Sequence, residues 1–410
     1  KKLPPMARIT TFEVTEIANL DDTLRSFEIV HSDGSGELRV AITPDAHVCD
    51  DCLRELFDPS DRRFRYPFIN CTNCGPRFTI VEKVPYDRPN TTMAAFELCP
   101  DCRAEYEDPL DRRFHAQPVA CPVCGPKVWL CTPEGKTLDH GDAIEEARRA
   151  LRAGKILAIK GIGGFHLAVD ATNQEAIETL RERKKRLGGK PFAVMARELE
   201  VARTLAELDE REAELLESLA RPIVLADAKA ENGLAPSLAA GLGSVGLMLP
   251  YSPLHHLLLE EPMPPLVMTS GNSSKEPIVS SNDDAIRRLG PLCDLMVLHD
   301  REIRSACDDS VTLIVDGLRQ TVRRSRGYVP RPLNAREFPV RAGFLGMGGE
   351  MKSALCLTRD AQWVMGRHLG ELTNRKTRES LRWDIEHLSD ILGVELIHLC
   401  HDRHPDYFST

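Results

Sequence analysis

The chain has 410 residues, 42% hydrophobic and 28% charged, with a formal net charge of −9 and 13 cysteines. That length suits about two to four domains of ordinary globular composition, and no run of 18 apolar residues exists to cross a membrane. The acidic balance argues against broad nucleic-acid binding and leaves room only for a local basic patch.

Both ends read as cut, since the chain starts Lys-Lys-Leu-Pro-Pro without Met and stops at Tyr407-Phe408-Ser409-Thr410 directly after a strand-like run. A fragment of a longer protein is the expectation. Residues 1–45 carry alternating apolar segments at 9–14, 27–30 and 38–42, broken by Asp-Gly-Ser-Gly at 33–36. They predict short strands and a linker.

Residues 46–130 hold four Cys-x-x-Cys pairs: Cys49/Cys52, Cys71/Cys74, Cys99/Cys102 and Cys121/Cys124. Eighteen residues separate the first pair from the second and the third from the fourth, and the whole unit recurs 50 residues on. Asp61-Arg62-Arg63-Phe64 is echoed by Asp111-Arg112-Arg113-Phe114, and Gly75-Pro76 by Gly125-Pro126. Each pair offers two thiolates at a separation suited to tetrahedral Zn²⁺, so two structural zinc sites are expected, with pairing within or across the repeats left open. A disulfide framework needs an oxidising compartment, and nothing like a signal peptide precedes the cysteines. Phe68, Phe78, Ile80, Phe96 and Leu98 are the expected small core around the metals. The two Arg-Arg pairs read as scaffold more readily than as a nucleic-acid surface, because each comes with acidic neighbours. Cys131, Cys293, Cys307, Cys356 and Cys400 lack ligand-like spacing and read as reduced thiols, which points to the cytoplasm.

From Asp142 the pattern becomes that of an α/β domain with mixed strand directions, over 140–330. Helices are predicted at 143–153, 174–187 and twice within 198–219. Strands are predicted at 156–160, 192–195, 222–226, 245–249, 265–269, 294–298 and 311–315. Pro330 to Pro339 reads as a linker. Residues 340–410 have the order β-β-β-α-β, with strands near 344–347, 354–358, 363–366 and 396–400 and a helix at 374–392. That order resembles the beginning of one lobe of an actin-like ATPase fold.

Four features of the middle domain suit anionic ligands. Lys160-Gly161-Ile162-Gly163-Gly164-Phe165-His166 puts a cation and a flexible turn after a strand, though such a turn is more often only a tight loop. Arg183-Lys184-Lys185-Arg186, with Lys190 beyond a glycine hinge, offers a cationic clamp as well as ordinary helix-dipole complementarity. Thr269-Ser270-Gly271-Asn272-Ser273-Ser274 places hydroxyls and an amide at a strand end, where sheet ligands bind. Arg323-Arg324-Ser325-Arg326 adds guanidiniums able to grip phosphate bidentately.

Lys184-x-Arg186, Gly246-Leu247-Met248-Leu249-Pro250 and Thr269-Ser270-Gly271-Asn272 resemble the KxR, G-x-R-x-P and T-S-x-N elements of the YrdC/Sua5 family, which makes carbamoyl-type adenylates from ATP. Joined to tandem C4 units containing Asn70-Cys71-Thr72-Asn73-Cys74-Gly75-Pro76-Arg77-Phe78, and to Gly349-Glu350-Met351-Lys352 and Asp402-Arg403-His404-Pro405-Asp406-Tyr407, they resemble the HypF family of hydrogenase-maturation carbamoyltransferases over nearly the whole chain.

The resemblance implies a multidomain α/β protein. Its parts would be the tail of an acylphosphatase domain with a linker (1–45), tandem zinc fingers (46–130), a YrdC-like adenylating domain with a mixed sheet (140–330) and the first part of a Kae1-like, actin-ATPase-like domain (340–410). It implies that carbamate released from carbamoyl phosphate attacks the α-phosphate of ATP, and that the carbamoyl group passes to the C-terminal cysteine of HypE for cyanide-ligand synthesis. Lys184, Arg186, Lys190 and Arg326 are the expected catalytic cations, with Mg²⁺. Pro250, Thr269, Ser270, Asn272 and Arg324 are expected about the nucleotide, and Lys160 and His166 about the carbamoyl end. Because the acylphosphatase part is nearly absent and the Kae1-like part is incomplete, little carbamoyl-phosphate hydrolysis and no transfer to HypE are expected of this chain. Leu187 stands where the family has proline after the KxR arginine, beside an apparent extra glycine, and Gly370-Glu371-Leu372 replaces Gly-Asp-Leu. A tRNA-modifying threonylcarbamoyl-adenylate synthase would not explain the zinc repeats or the last block. An antibiotic O-carbamoyltransferase would lack the cysteine pairs, and a zinc-ribbon nucleic-acid module sits poorly with the net charge.

Overall fold

The computed structural model describes residues 5–7, 13–15, 42–139, 141–186, 189–239, 241–273, 276–333, 340–360 and 362–410. The strands expected before residue 42 fall almost entirely outside these, as do Leu187, Gly188, Ser274 and residues 334–339 of the linker.

Two short helices, α1 (Asp50–Leu56) and α2 (Pro100–Glu107), begin directly after Cys49 and Cys99. The chain then continues through β1 (Val128–Cys131), α3 (Ala143–Arg152), β2 (Leu157–Lys160), β3 (Phe165–Asp170), α4 (Gln174–Arg183), β4 (Ala193–Met195), α5 (Leu199–Leu205), β5 (Ala206–Glu207), α6 (Glu210–Glu217) and β6 (Ile223–Ala228). It goes on with β7 (Ser244–Met248), α7 (Pro253–Leu258), β8 (Leu266–Ser270), α8 (Asn282–Leu289), β9 (Leu295–His299), β10 (Val311–Val315) and β11 (Leu318–Arg323). The last block adds β12 (Phe344–Gly346), β13 (Cys356–Arg359), β14 (Gln362–Met365), α9 (Arg375–Leu392) and β15 (His398–Cys400).

The helices start where short polar side chains satisfy free N–H groups. Asp142 accepts from Ile144 and Glu145, Asn173 from Ala176, Ser281 from Asp284 and Asn374 from Lys376. Asp209 and Glu212 form a reciprocal capping box at α6. α4 stops at Arg183, short of the predicted 187, because Lys185 turns left-handed at φ 49°. That turn leaves Lys184 at the helix terminus.

The large sheet runs β1-β9-β2-β3-β8-β4-β7-β6-β10-β11, with β5 beside β6. It is mixed, as expected: β2/β9, β4/β7 and β6/β10 pair parallel, and β2/β3, β3/β8 and β6/β7 antiparallel. β2 and β3 are buried on both sides, which explains why they are largely apolar, with Lys160 and His166 the buried exceptions. Ile156, Ala158, Phe165 and Leu167 face one core, while Leu157, Ile159 and Ala168 face the other. The second core also takes Val48, Cys52, Leu56 and Phe68 from the cysteine repeats, so these lie on the sheet rather than apart from it. Phe78, placed by sequence in the metal-side core, packs instead with Val81, Cys307, Val329 and the last block. Leu98 is only half-buried.

That block is a four-stranded sheet, β14-β13-β12-β15, with α9 packed through Leu381, Leu388, Ile391 and Leu392. Gly393 ends α9 left-handed at φ 62°.

Candidate functional site

The cysteines form two groups, Cys49, Cys52, Cys71 and Cys74, and Cys99, Cys102, Cys121 and Cys124, each from one repeat. Sulfur separations are 3.6 Å (Cys49–Cys71), 3.6 Å (Cys52–Cys74), 3.9 Å (Cys71–Cys74), 3.7 Å (Cys99–Cys121) and 3.8 Å (Cys121–Cys124). A tetrahedron with Zn–S bonds of about 2.3 Å has sulfurs about 3.8 Å apart, whereas a disulfide needs about 2.05 Å. The residues therefore fit one zinc per repeat, with local pairing.

The arginine pairs act across the repeats. Arg62 and Arg63 donate to Cys102 Sγ at 3.3 and 3.4 Å and to Glu105, and buried Arg63 also donates to the Ala120 carbonyl at 2.9 Å. In return Arg112 donates to Cys52 Sγ at 3.1 Å, and Arg112 and Arg113 pair with Glu55. Burial opposes ionisation of Glu105, yet Arg63 and Arg62 hold its carboxyl down at about 2. Cationic donors to metal thiolates offset the excess negative charge of a four-thiolate site. His115 packs on Tyr106 and Phe114 instead of joining either group.

A second assembly lies at the carboxyl end of β8. Lys184, 6% exposed, donates to the carbonyls of Ser270 (2.7 Å) and Asn272 (3.0 Å) and to Asn272 Oδ1 (3.2 Å). Ser270 Oγ donates to Asn272 Oδ1 at 3.0 Å, and Asn272 Nδ2 donates to the Glu276 carbonyl at 2.6 Å. Arg186 donates to Thr269 Oγ1 at 3.1 Å, and its guanidinium lies 4.4 Å from the centre of the Phe192 ring. Gly271 is required because a Cβ there would meet the Phe165 backbone at 2.8 Å. Burial and then Arg186 push the Lys184 ammonium down to about 7, and burial and then Arg181 push Arg186 to about 10. Burial, then Arg186 and Arg323, lowers Lys190, against Asp308 and Glu371. Crowded cations with so few carboxylates are chemically suited to a polyanion.

The other predicted residues lie elsewhere. Arg326 directs its three nitrogens to Asp309 Oδ1 (2.7 Å) and the carbonyls of Ala220 and Arg221 (both 2.9 Å), over the Tyr251 ring. His166 Nε2 meets Asp309 Oδ2 at 2.8 Å, with His255 packed edge-on. Pro250, buried, leads from β7 into Tyr251 of this cluster. Lys160 donates to the His299 carbonyl at 3.0 Å, and burial and then Arg301 lower it to about 8. Arg324, also read from sequence as a phosphate ligand, instead binds the carbonyls of Met365 (2.9 Å) and Tyr328 (3.0 Å) and so ties the last block to the large sheet. Sequence reasoning missed Asp309, Tyr251 and His255; the Asp308-Asp309 doublet ahead of the apolar strand β10 was the available signal.

Family descriptions match along the chain: "HypF finger" at residues 48–81 and 98–131, the Sua5/YciO/YrdC description "Telomere recombination" at 149–325, and "HypF Kae1-like domain" at 340–410. The carbamoyltransferase HypF of Synechocystis is 46% identical over 412 residues, covering 100% of this chain and 53% of that protein. That of Rhizobium leguminosarum bv. viciae is 48% identical, covering 99% and 52%. A crystal structure of full-length HypF in the phosphate- and nucleotide-bound form superposes with a TM-score of 0.86 at 47% identity, covering 90% of this chain and 48% of that one. A crystal structure of T. kodakarensis HypF gives 0.86 at 44% identity, with the same coverage. The chain spans about half the length of these relatives.

Proposed function

The chain belongs to the HypF family, and from that premise we propose that its middle domain forms carbamoyl-adenylate from ATP and carbamate within an ATP-dependent carbamoyltransferase. The observation that carries this reading is the convergence of Lys184, Arg186, Thr269, Ser270 and Asn272 at one strand end. A carbamate oxygen attacks the α-phosphorus, the bond from that phosphorus to the bridging oxygen breaks, and pyrophosphate leaves with the electron pair. Lys184, Arg186 and Lys190 offset the developing charge, while Ser270 and Asn272 hold the nucleotide. Among the described residues the only metal-ligating clusters are the cysteine groups. Mg²⁺ bound with ATP would supply further charge neutralisation.

The zinc ions are structural in this reading, because each group is four-coordinate with no open position. In the intact protein an acylphosphatase part would release carbamate from carbamoyl phosphate, and HypE would accept the carbamoyl group on its C-terminal cysteine. No helix among the described residues is long and apolar enough to cross a membrane; free thiolate clusters favour a reducing compartment, the cytoplasm. ATP–pyrophosphate exchange tests the proposal. Exchange that requires carbamate or carbamoyl phosphate supports it, and exchange driven instead by threonine with bicarbonate would move the chain to threonylcarbamoyl-adenylate chemistry.

A further inference from the structure

We infer that the C-terminal block completes the polyphosphate end of this site with Lys352 and His368. The inference rests on the adenylating reading for its ligand, while its geometry stands separately. β11 ends in Arg323, which pairs with Asp308 at 2.8 Å. The next carbonyl, Arg324 O, accepts from His368 N at 3.0 Å, and Arg324 reaches back to the Met365 carbonyl, so His368 is pinned beside the Arg323 side of the site. Backbone pairing brings the Lys352 segment alongside the His368 segment: Ser353 N donates to Gly370 O and Leu369 N to Ser353 O, both at 2.8 Å, which sets Lys352 opposite Glu371, three residues on from His368. On the far side, Lys376 of α9 pairs with Glu276 at 3.3 Å, and the Glu276 carbonyl receives Asn272 Nδ2. The block thus grips the loop that Lys184 holds.

The electrostatics follow that placement. Burial, then Arg323, with Lys352 and Lys190 adding and Asp308 opposing, lowers the His368 imidazole to about 4. It is therefore neutral at physiological pH, with one N–H to donate. Lys352 is exposed, and among the described residues neither its ammonium nor that of Lys190 makes a hydrogen bond or ion pair. Lys184, Arg186, Lys190 and Arg323 lie close enough to act on one another's ionisation, and Arg323, Lys190 and Lys352 on that of His368, so the cationic cluster spans both blocks. A departing pyrophosphate has two phosphate groups to occupy it.

The test is inorganic pyrophosphate binding to the full chain by calorimetry. Lys352 sits at φ 51°, so Lys352→Asn removes the charge while tolerating the backbone. Loss of a charge-assisted contact predicts about 10- to 100-fold weaker binding, with recovery in Lys352→Arg. His368→Gln predicts a smaller loss. Arg375→Ala, on the exposed start of α9, predicts none. In exchange assays Lys352→Asn raises KM for ATP more than it lowers kcat. Wild-type binding in both Lys352→Asn and His368→Gln, or no pyrophosphate binding by the parent chain, overturns the inference. Charge-dependent pyrophosphate binding without carbamate-dependent exchange would leave the two-block site standing and remove the adenylating reading instead.

Discussion

If Lys184 holds the nucleotide as proposed, binding depends on pH in a calculable way. Burial and Arg186 place its ammonium at about 7, against an ordinary value of 10.5, a difference worth about 5 kcal/mol between its charged and neutral forms. The sign is that of a depressed base. Free protein is about half protonated at this position at pH 7 and about 1% protonated at pH 9. Polyphosphate prefers the charged form, so binding takes up a proton and weakens as pH rises. If only the ammonium form binds, affinity for ATP falls about 50-fold from pH 7 to pH 9. The terminal phosphate, with a second pKa of about 6, is almost fully ionised from pH 8 upward, so the slope between pH 8 and pH 9 belongs to the protein. Calorimetry in buffers of different ionisation enthalpy measures both the affinity and the proton uptake. Lys184→Arg, which stays charged across this range, flattens the profile. A flat profile in the parent chain would refute the assignment of Lys184 as the titrating cation. In the absence of ligand the same depression has a second consequence. The unfolded chain binds the extra proton between pH 7 and 10.5, so the Lys184 contribution to folding stability rises with pH across that window.

Crossed arginine donation predicts crossed metal loss. Arg63→Ala weakens zinc in the repeat of Cys102, and Arg112→Ala weakens it in the repeat of Cys52, each about 10- to 100-fold as read by competition with a chromophoric chelator. Metal analysis of the parent should give two zinc ions per chain, and Cys74→Ser one. Because the repeats share a core with the large sheet, chelation lowers the melting transition of the whole chain instead of releasing a separate module. Asp309 is buried between His166 and Arg326, and Arg326 and His166 hold its carboxyl far below the usual range despite burial. Asp309→Asn strands the Arg326 charge and should cost about 3–5 kcal/mol, measured by denaturant unfolding.

Much of this was legible because the signals were local. Cysteine spacing announced the metal groups, and the alternation of helical and extended periods announced the α/β domain. The three-strand start, long helix and final strand of the last block appear at nearly their predicted positions. Other features were hidden for physical reasons. β11 (Leu-Arg-Gln-Thr-Val-Arg) is an exposed edge without an apolar face, and only the Asp316-Gly317 turn, at φ 50° and 72°, betrays the hairpin. β3 was absorbed into the glycine turn because Phe165 and His166 looked like ligand residues. In fact Gly163 is needed because a Cβ would lie 2.4 Å from the Cys307 carbonyl. Runs of arginine also misled. Arg323, Arg324 and Arg326 are near neighbours in sequence, yet they serve three different partners, Asp308, the Met365 carbonyl and Asp309. Charge is written in the sequence, whereas the acceptor that uses it is set by the fold.

The same distinction bears on why tandem cysteine repeats accompany a domain proposed to form an adenylate. Carbamate decomposes in water, so a route between sites benefits from walls that do not shift. Phe78 and Val81, just after Cys74 of the first repeat, lie in one core with Cys307, Val329 and the last block. Cys52 and Leu56, in the first repeat, lie in another with β2 and α7. The cysteine repeats thus touch both halves of the site through apolar contacts. Their arginines are spent on each other's thiolates and carboxylates, which leaves little free cationic surface there for nucleic acid. A side chain that merely decorated the surface would tolerate charge reversal. Arg63, 1% exposed, would not. Arg63→Glu should therefore disturb the proposed nucleotide site as well as the metal, lowering pyrophosphate affinity although, among the described residues, the Arg63 side chain hydrogen-bonds only to Glu105, Cys102 and the Ala120 carbonyl. Unchanged affinity in a zinc-depleted Arg63→Glu chain would show that the scaffold and the site are mechanically independent.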